Sequence, residues 1–221
     1  MLNNVITGRN TQSILSTNKL IRNTYILLSM TLLFSAFTAA ISVLMRMPPS
    51  TYLFSIGGAL VLMWFVLPKT ANSSSGIGVV FLITGLLGFS LGPILNMYLS
   101  LPNGPQIVAT ALGGTGVIFL GLSGYALTTK KDFSFLGGFL FVGLLVVLGA
   151  AILNIFMAIP ALSLALSATI VMLMSGFILF DTSRMVNGGI DNYVLATIQL
   201  YMNIFNLFIS LLHLLGFANR E

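Results

Sequence analysis

Charge is what this chain has least of. Of 221 residues, nine are Lys or Arg and four are Asp or Glu, 6% in all. A water-soluble globular chain carries about a quarter charged residues, so a wholly solvated surface is excluded. Cysteine is absent, which removes disulfides, thiolate metal sites and cysteine nucleophiles from consideration. Histidine occurs once, and its predicted depth in the membrane is far from that of Asp181, which argues against a Ser-His-Asp arrangement. There is no phosphate-binding Gly-Lys motif and no His-Glu-x-x-His. The four acidic residues are dispersed, whereas a dedicated Ca²⁺ cage gathers about six to eight oxygen ligands, usually with several carboxylates. No cofactor, no metal site and no enzymatic activity are therefore expected.

What the chain does have is long apolar runs. A run of about 18 or more apolar residues is long enough, as a helix, to cross roughly 30 Å of hydrocarbon. Seven such runs occur, at 24–45, 51–67, 76–99, 107–128, 133–158, 161–187 and 192–217. They are too long and too continuously apolar for the alternating strands of a membrane barrel. A helix also satisfies its backbone within the segment, as hydrocarbon demands. The expected fold is an all-α integral membrane protein with seven transmembrane helices (residues 24–221) and a polar N-terminal tail (1–23). That tail lacks the apolar core and cleavage site of a signal peptide, so the first span is expected to act as its own insertion signal and to be retained.

Alternate connections sort the charges. Arg9, Lys19, Arg22, Lys69, Lys130, Lys131 and Arg184 fall on one side, Arg46 and Arg220 on the other. Basic loops stay in the cytoplasm, which predicts a cytoplasmic N-terminus. Six spans with a re-entrant last segment, putting both ends inside, is the alternative. The formal charge of +5 is thus an orientation signal with an affinity for anionic lipid, and it requires no nucleic acid.

Glycine is frequent within the spans: Gly85, Gly88 and Gly92 in the third, Gly113, Gly114, Gly116, Gly121 and Gly124 in the fourth, Gly137, Gly138 and Gly143 in the fifth. Small residues let helices approach closely in lipid. Gly92-Pro93 is a special case. Proline leaves the Phe89 carbonyl without its helical donor, which predicts a kink, and Asn96 lies one turn further on, within reach of a neighbouring helix.

The last span carries Gln199, Asn203, Asn206, Ser210 and His213, which at helical periodicity share an arc of about 80°. Such a stripe faces other helices or a water-filled cavity and not lipid. Interhelical hydrogen bonding and a hydrated pathway both fit it. Asp181 is the strongest single residue. Gly188-Gly189 supplies a helix stop and Asp191 a cap for the next helix, so the sixth span runs past Asp181 to about residue 187. An ionisable group at that depth is a functional candidate; an i, i+3 pair with Arg184 is the structural alternative.

Several ordered motifs now resemble one family. They are Arg22-Asn23-Thr24-Tyr25-Ile26-Leu27-Leu28-Ser29, Leu91-Gly92-Pro93-Ile94-Leu95-Asn96, Leu127-Thr128-Thr129-Lys130-Lys131-Asp132, Ile178-Leu179-Phe180-Asp181-Thr182-Ser183 and Leu200-Tyr201-Met202-Asn203. From about Ser13 onward the chain resembles the Bax inhibitor-1 family, and within it the proteobacterial YccA branch. The resemblance implies seven helices in a bacterial inner membrane, with the last helix surrounded by the other six. It implies two activities. YccA-type members bind and restrain the membrane-bound ATP-dependent protease FtsH. Other members are pH-sensitive Ca²⁺ leak channels, in which paired aspartates of the last two helices sense protons. Asp181 matches the first aspartate, and Asn203 stands where the second belongs. Asp181 and Asn203 by that resemblance, with Asn206, Ser210 and His213 of the stripe and Arg184 beside Asp181, are the candidate proton-sensing or ion-pathway residues. Ca²⁺ or protons are the ligands of the channel reading, which the loss of the second carboxylate weakens.

Overall fold

The computed structural model describes the backbone of residues 2–218 and the side chains of residues 16–218. The side chain of Arg9, and Arg220 altogether, lie outside the described residues. Among those described there is no strand. The elements are α1 (Leu2–Leu44), α2 (Ser50–Val61), a π turn (Leu62–Val66), α3 (Leu67–Thr70), α4 (Ser75–Leu99), α5 (Gly104–Thr129), α6 (Leu136–Met157), α7 (Pro160–Val186) and α8 (Tyr193–Ala218). Seven segments are long and apolar enough to cross a membrane, with α2, the π turn and α3 together forming the second.

The second span does not stop at residue 67, before Pro68. The helix reaches Thr70 because the π turn lies just before the proline. The N–H of Leu67 donates to the Leu62 carbonyl, five residues back. That widened turn relieves the clash between a proline ring and the carbonyl four residues earlier. Pro93 likewise sits inside an unbroken α4. Asn96 makes the expected reach, donating from Nδ2 to the Val43 carbonyl of α1 at 3.3 Å.

The end of α7 is built as the glycines foretold. Gly188 takes φ +76° and the Gly189 N–H returns to the Arg184 carbonyl at 2.7 Å, the Schellman closure. The cap of α8 is one residue later than expected. Asn192, not Asp191, accepts the N–H groups of Val194 (2.8 Å) and Leu195 (3.1 Å) through Oδ1. A cap accepts from the second and third residues of its helix, and with Tyr193 as the first residue only Asn192 has that spacing.

α8 is the central helix. It packs against α1, α4, α5 and α7, and its apolar side (Ile204, Phe205, Phe208, Leu212) is as buried as Asn203 and Ser210 on its polar side. The ring around it has four members, not six. α2 leans on α4 and α6 on α7, each one layer further out. Both accordingly have the smallest shares of buried residues among the seven spans.

Close helix approach is concentrated at α1 and α4. A Cβ on Gly88 would overlap the Ser35 carbonyl and the Thr38 hydroxyl, and one on Gly92 would overlap the Ser42 side chain. Thr38 Oγ1 uses the short separation to donate to the Gly85 carbonyl at 3.0 Å. The glycines of α5 behave otherwise. Gly113, Gly116, Gly121 and Gly124 have nothing within 4 Å of a built Cβ, so no helix packs closely against them.

Candidate functional site

α7 and α8 run antiparallel and in contact, and the register of that pair brings the candidate residues together. Asn203 Nδ2 donates to Asp181 Oδ2 at 2.8 Å. Both are buried, at 8% and 6% exposure. Fourteen residues earlier on α7, Ser167 Oγ shares a 2.7 Å hydrogen bond with Nδ1 of His213. The polar stripe of α8 thus meets α7 at Asn203 and again at His213. At about 1.5 Å per residue the two contacts lie some 20 Å apart, so His213 belongs to a separate contact near the other end of the bundle.

Arg184 does not pair with Asp181. Its Nη2 donates to the Gly189 carbonyl at 2.9 Å, and its guanidinium lies 5.4 Å from the centre of the Phe180 ring. The guanidinium thus caps the negative end of α7 and stacks on an aromatic face. Asn206 turns back on its own helix, donating from Nδ2 to the Met202 carbonyl at 2.8 Å. Gln199 is exposed. Gly92 and Pro93 lie at the α1 side of the molecule and take no part.

The Asp181–Asn203 pair forms the floor of a cleft of about 630 Å³. Its walls come from four elements: Leu60, Met63 and Trp64 of the second span, Leu144, Val147 and Leu148 of α6, the Ile170-to-Arg184 face of α7, and Gln199, Met202 and Asn206 of α8. The cleft exists because α2 and α6 nowhere bring Cα atoms within 8 Å of each other. Trp64 (72% exposed) and Leu148 (50%) form its rim, so it opens sideways into the bilayer.

Sequence reasoning missed two polar anchors. Tyr201, 1% exposed, shares a 2.5 Å hydrogen bond with Ser35 Oγ and donates to the Thr84 carbonyl at 3.3 Å, tying α8 to α1 and α4. Ser183 accepts from the Phe133 N–H and donates to the Lys131 carbonyl, both at 2.9 Å, and so holds the α5–α6 connection against α7. Each stands within one of the quoted motifs, but its partners are distant in sequence.

The profile described as Inhibitor of apoptosis-promoting Bax1 matches residues 17–220. The chain belongs to the Bax inhibitor-1 family. Among family relatives, a protein of Escherichia coli (strain K12) named Modulator of FtsH protease YccA is 50% identical over 209 residues, which cover 95% of this chain and 94% of that protein. One of E. coli O6:H1 named Inner membrane protein YccA is equally similar over the same shares. A Vibrio cholerae membrane protein is 51% identical over 207 residues, 94% of this chain and 93% of its own length. With seven spans and these relatives, this Bax inhibitor-1 family member is a multi-pass inner-membrane protein.

Proposed function

We propose that this chain modulates the membrane-bound ATP-dependent protease FtsH, by contact and without catalysis of its own. The observation that carries the reading is its 50% identity, across almost the whole of both chains, to a relative named for that role. The shape of the molecule suits it. The connections between spans are short, from two residues between α6 and α7 to six between α5 and α6, so a partner meets helix faces or the polar tail of residues 1–23, here assigned to the cytoplasm. The membrane domain of residues 24–221 supplies exposed apolar walls on α2 and α6 for such contacts. Asp181 and Asn203 act within it as the polar anchor that fixes α7 on α8.

The Ca²⁺-leak alternative gains no support from this geometry. Asp181 meets an amide in place of a second carboxylate, and among the described residues no three His, Asp or Glu side chains converge. Affinity purification from mild detergent after crosslinking tests the proposal. FtsH is expected to co-purify, and overproduction of the chain is expected to slow turnover of FtsH membrane substrates. Absence of FtsH from the crosslinked material would overturn it.

A further inference from the structure

The α7 face that lines the cleft has an order to it. Ile170, Met174, Phe177, Asp181 and Arg184 recur at spacings of four, three, four and three, one stripe of a helix. From the membrane middle towards the helix end it reads apolar, apolar, apolar, acid, base. Asp181 lies five residues before Val186, the last helical residue, or about 7–8 Å below the end, and Arg184 lies one turn above Asp181. This is the depth order of a phospholipid: acyl chain, glycerol, phosphate.

The polar atoms add a chemical requirement. Only one carboxylate oxygen of Asp181 is engaged, by Asn203. Arg184 gives one N–H to Gly189 and keeps others of its five donors for a second acceptor. An ionised Asp181 only accepts, so in that form its free oxygen calls for a hydrogen-bond donor on the occupant. The glycerol of a diacyl lipid carries only ester oxygens there, and acceptor facing acceptor leaves a buried carboxylate uncompensated. A single-chain phospholipid carries a free glycerol hydroxyl at that level. The volume of about 630 Å³ lies within the range of about 300–1,000 Å³ usual for small-molecule sites, and the gap between α2 and α6 gives access from the bilayer.

We propose that the lateral cleft between α2 and α6 binds a lysophospholipid, with its phosphate on Arg184, its free glycerol hydroxyl on Asp181 and its acyl chain along Phe177, Met174, Met63 and Leu148. The inference is independent of the protease reading, since it concerns the chain alone in a bilayer.

Trp64 is the only tryptophan of the chain and stands on the cleft wall, so its fluorescence reports occupancy. The full chain is reconstituted in nanodiscs of diacyl phosphatidylglycerol, and three lipids with brominated chains are compared at equal bromine content. They are a lysophosphatidylglycerol, its analogue lacking the glycerol 2-hydroxyl, and the diacyl lipid. Trp64 quenching is expected to be about two- to tenfold more sensitive to the lysolipid than to either other lipid, the range of one net hydrogen bond. Arg184→Gln, which leaves the buried pair intact, is expected to lower the sensitivity to lysolipid, with folding checked by size-exclusion chromatography. Equal quenching by the lysolipid and its deoxy analogue would overturn the proposal. So would protection of Trp64 from all three lipids, which would give the cleft to a protein or to water.

Discussion

At the scale of single residues, Asp181 depends on one neighbour. Removing the donor while keeping the acid leaves a buried carboxylate with nothing to compensate it, which costs more than removing both. Asn203→Leu is therefore expected to destabilise the protein by about 1–3 kcal/mol. Asp181→Leu combined with Asn203→Leu is expected to cost less than the two single changes summed. Thermal denaturation in detergent micelles measures all three, and strict additivity would show that the hydrogen bond contributes nothing. Both partners could be read from the chain, because each stands in a short motif at a helical spacing. Tyr201 could not be read as an anchor: its two partners lie 166 and 117 residues away.

At the scale of elements, glycine has two roles that composition does not separate. On α4 it admits the backbone of α1, with Gly88 directly against Ser35 and Thr38. On α5 it faces open space. Gly88→Leu is expected to force α1 and α4 apart, with loss of folded, monodisperse protein. Gly113→Leu is expected to leave the melting temperature within a few degrees of the parent, because an exposed substitution moves stability by only about 0.5 kcal/mol. A fluorescence-detected size-exclusion thermal assay compares the two. The spans themselves were legible because hydrocarbon thickness fixes their length. Their ends were less so. The π turn that carries the helix through Pro68 and the shift of the α8 cap to Asn192 both depend on hydrogen-bond choices of a single turn, which residue type alone leaves open.

At the scale of the whole molecule, the charge asymmetry and the central α8 make separate statements. The first concerns orientation in the membrane and rests on loop composition. The chain has no cysteine, so it is a ready background for labelling. A cysteine placed by Lys130→Cys is expected to react with an impermeant maleimide only after the inner membrane is opened, and reaction in intact spheroplasts would reverse the assigned orientation. The second concerns packing. The resemblance implied a central α8, and its polar stripe agreed. That its apolar side is buried too does not follow from the stripe, which alone would allow that side to face lipid. The outward position of α6 had a signal in its run, the most apolar of the seven, whereas that of α2 was not legible, since its hydropathy lies within the range of the inner helices.

The gap left between those two outer helices sets the units in which any occupant must be counted. A cleft that opens to the side is filled by two-dimensional diffusion, and its occupancy follows the mole fraction of a molecule in one leaflet and not its concentration in the cytosol. A change in membrane composition would then reach Asp181 without any soluble messenger, and diluting the cell contents would not reverse it.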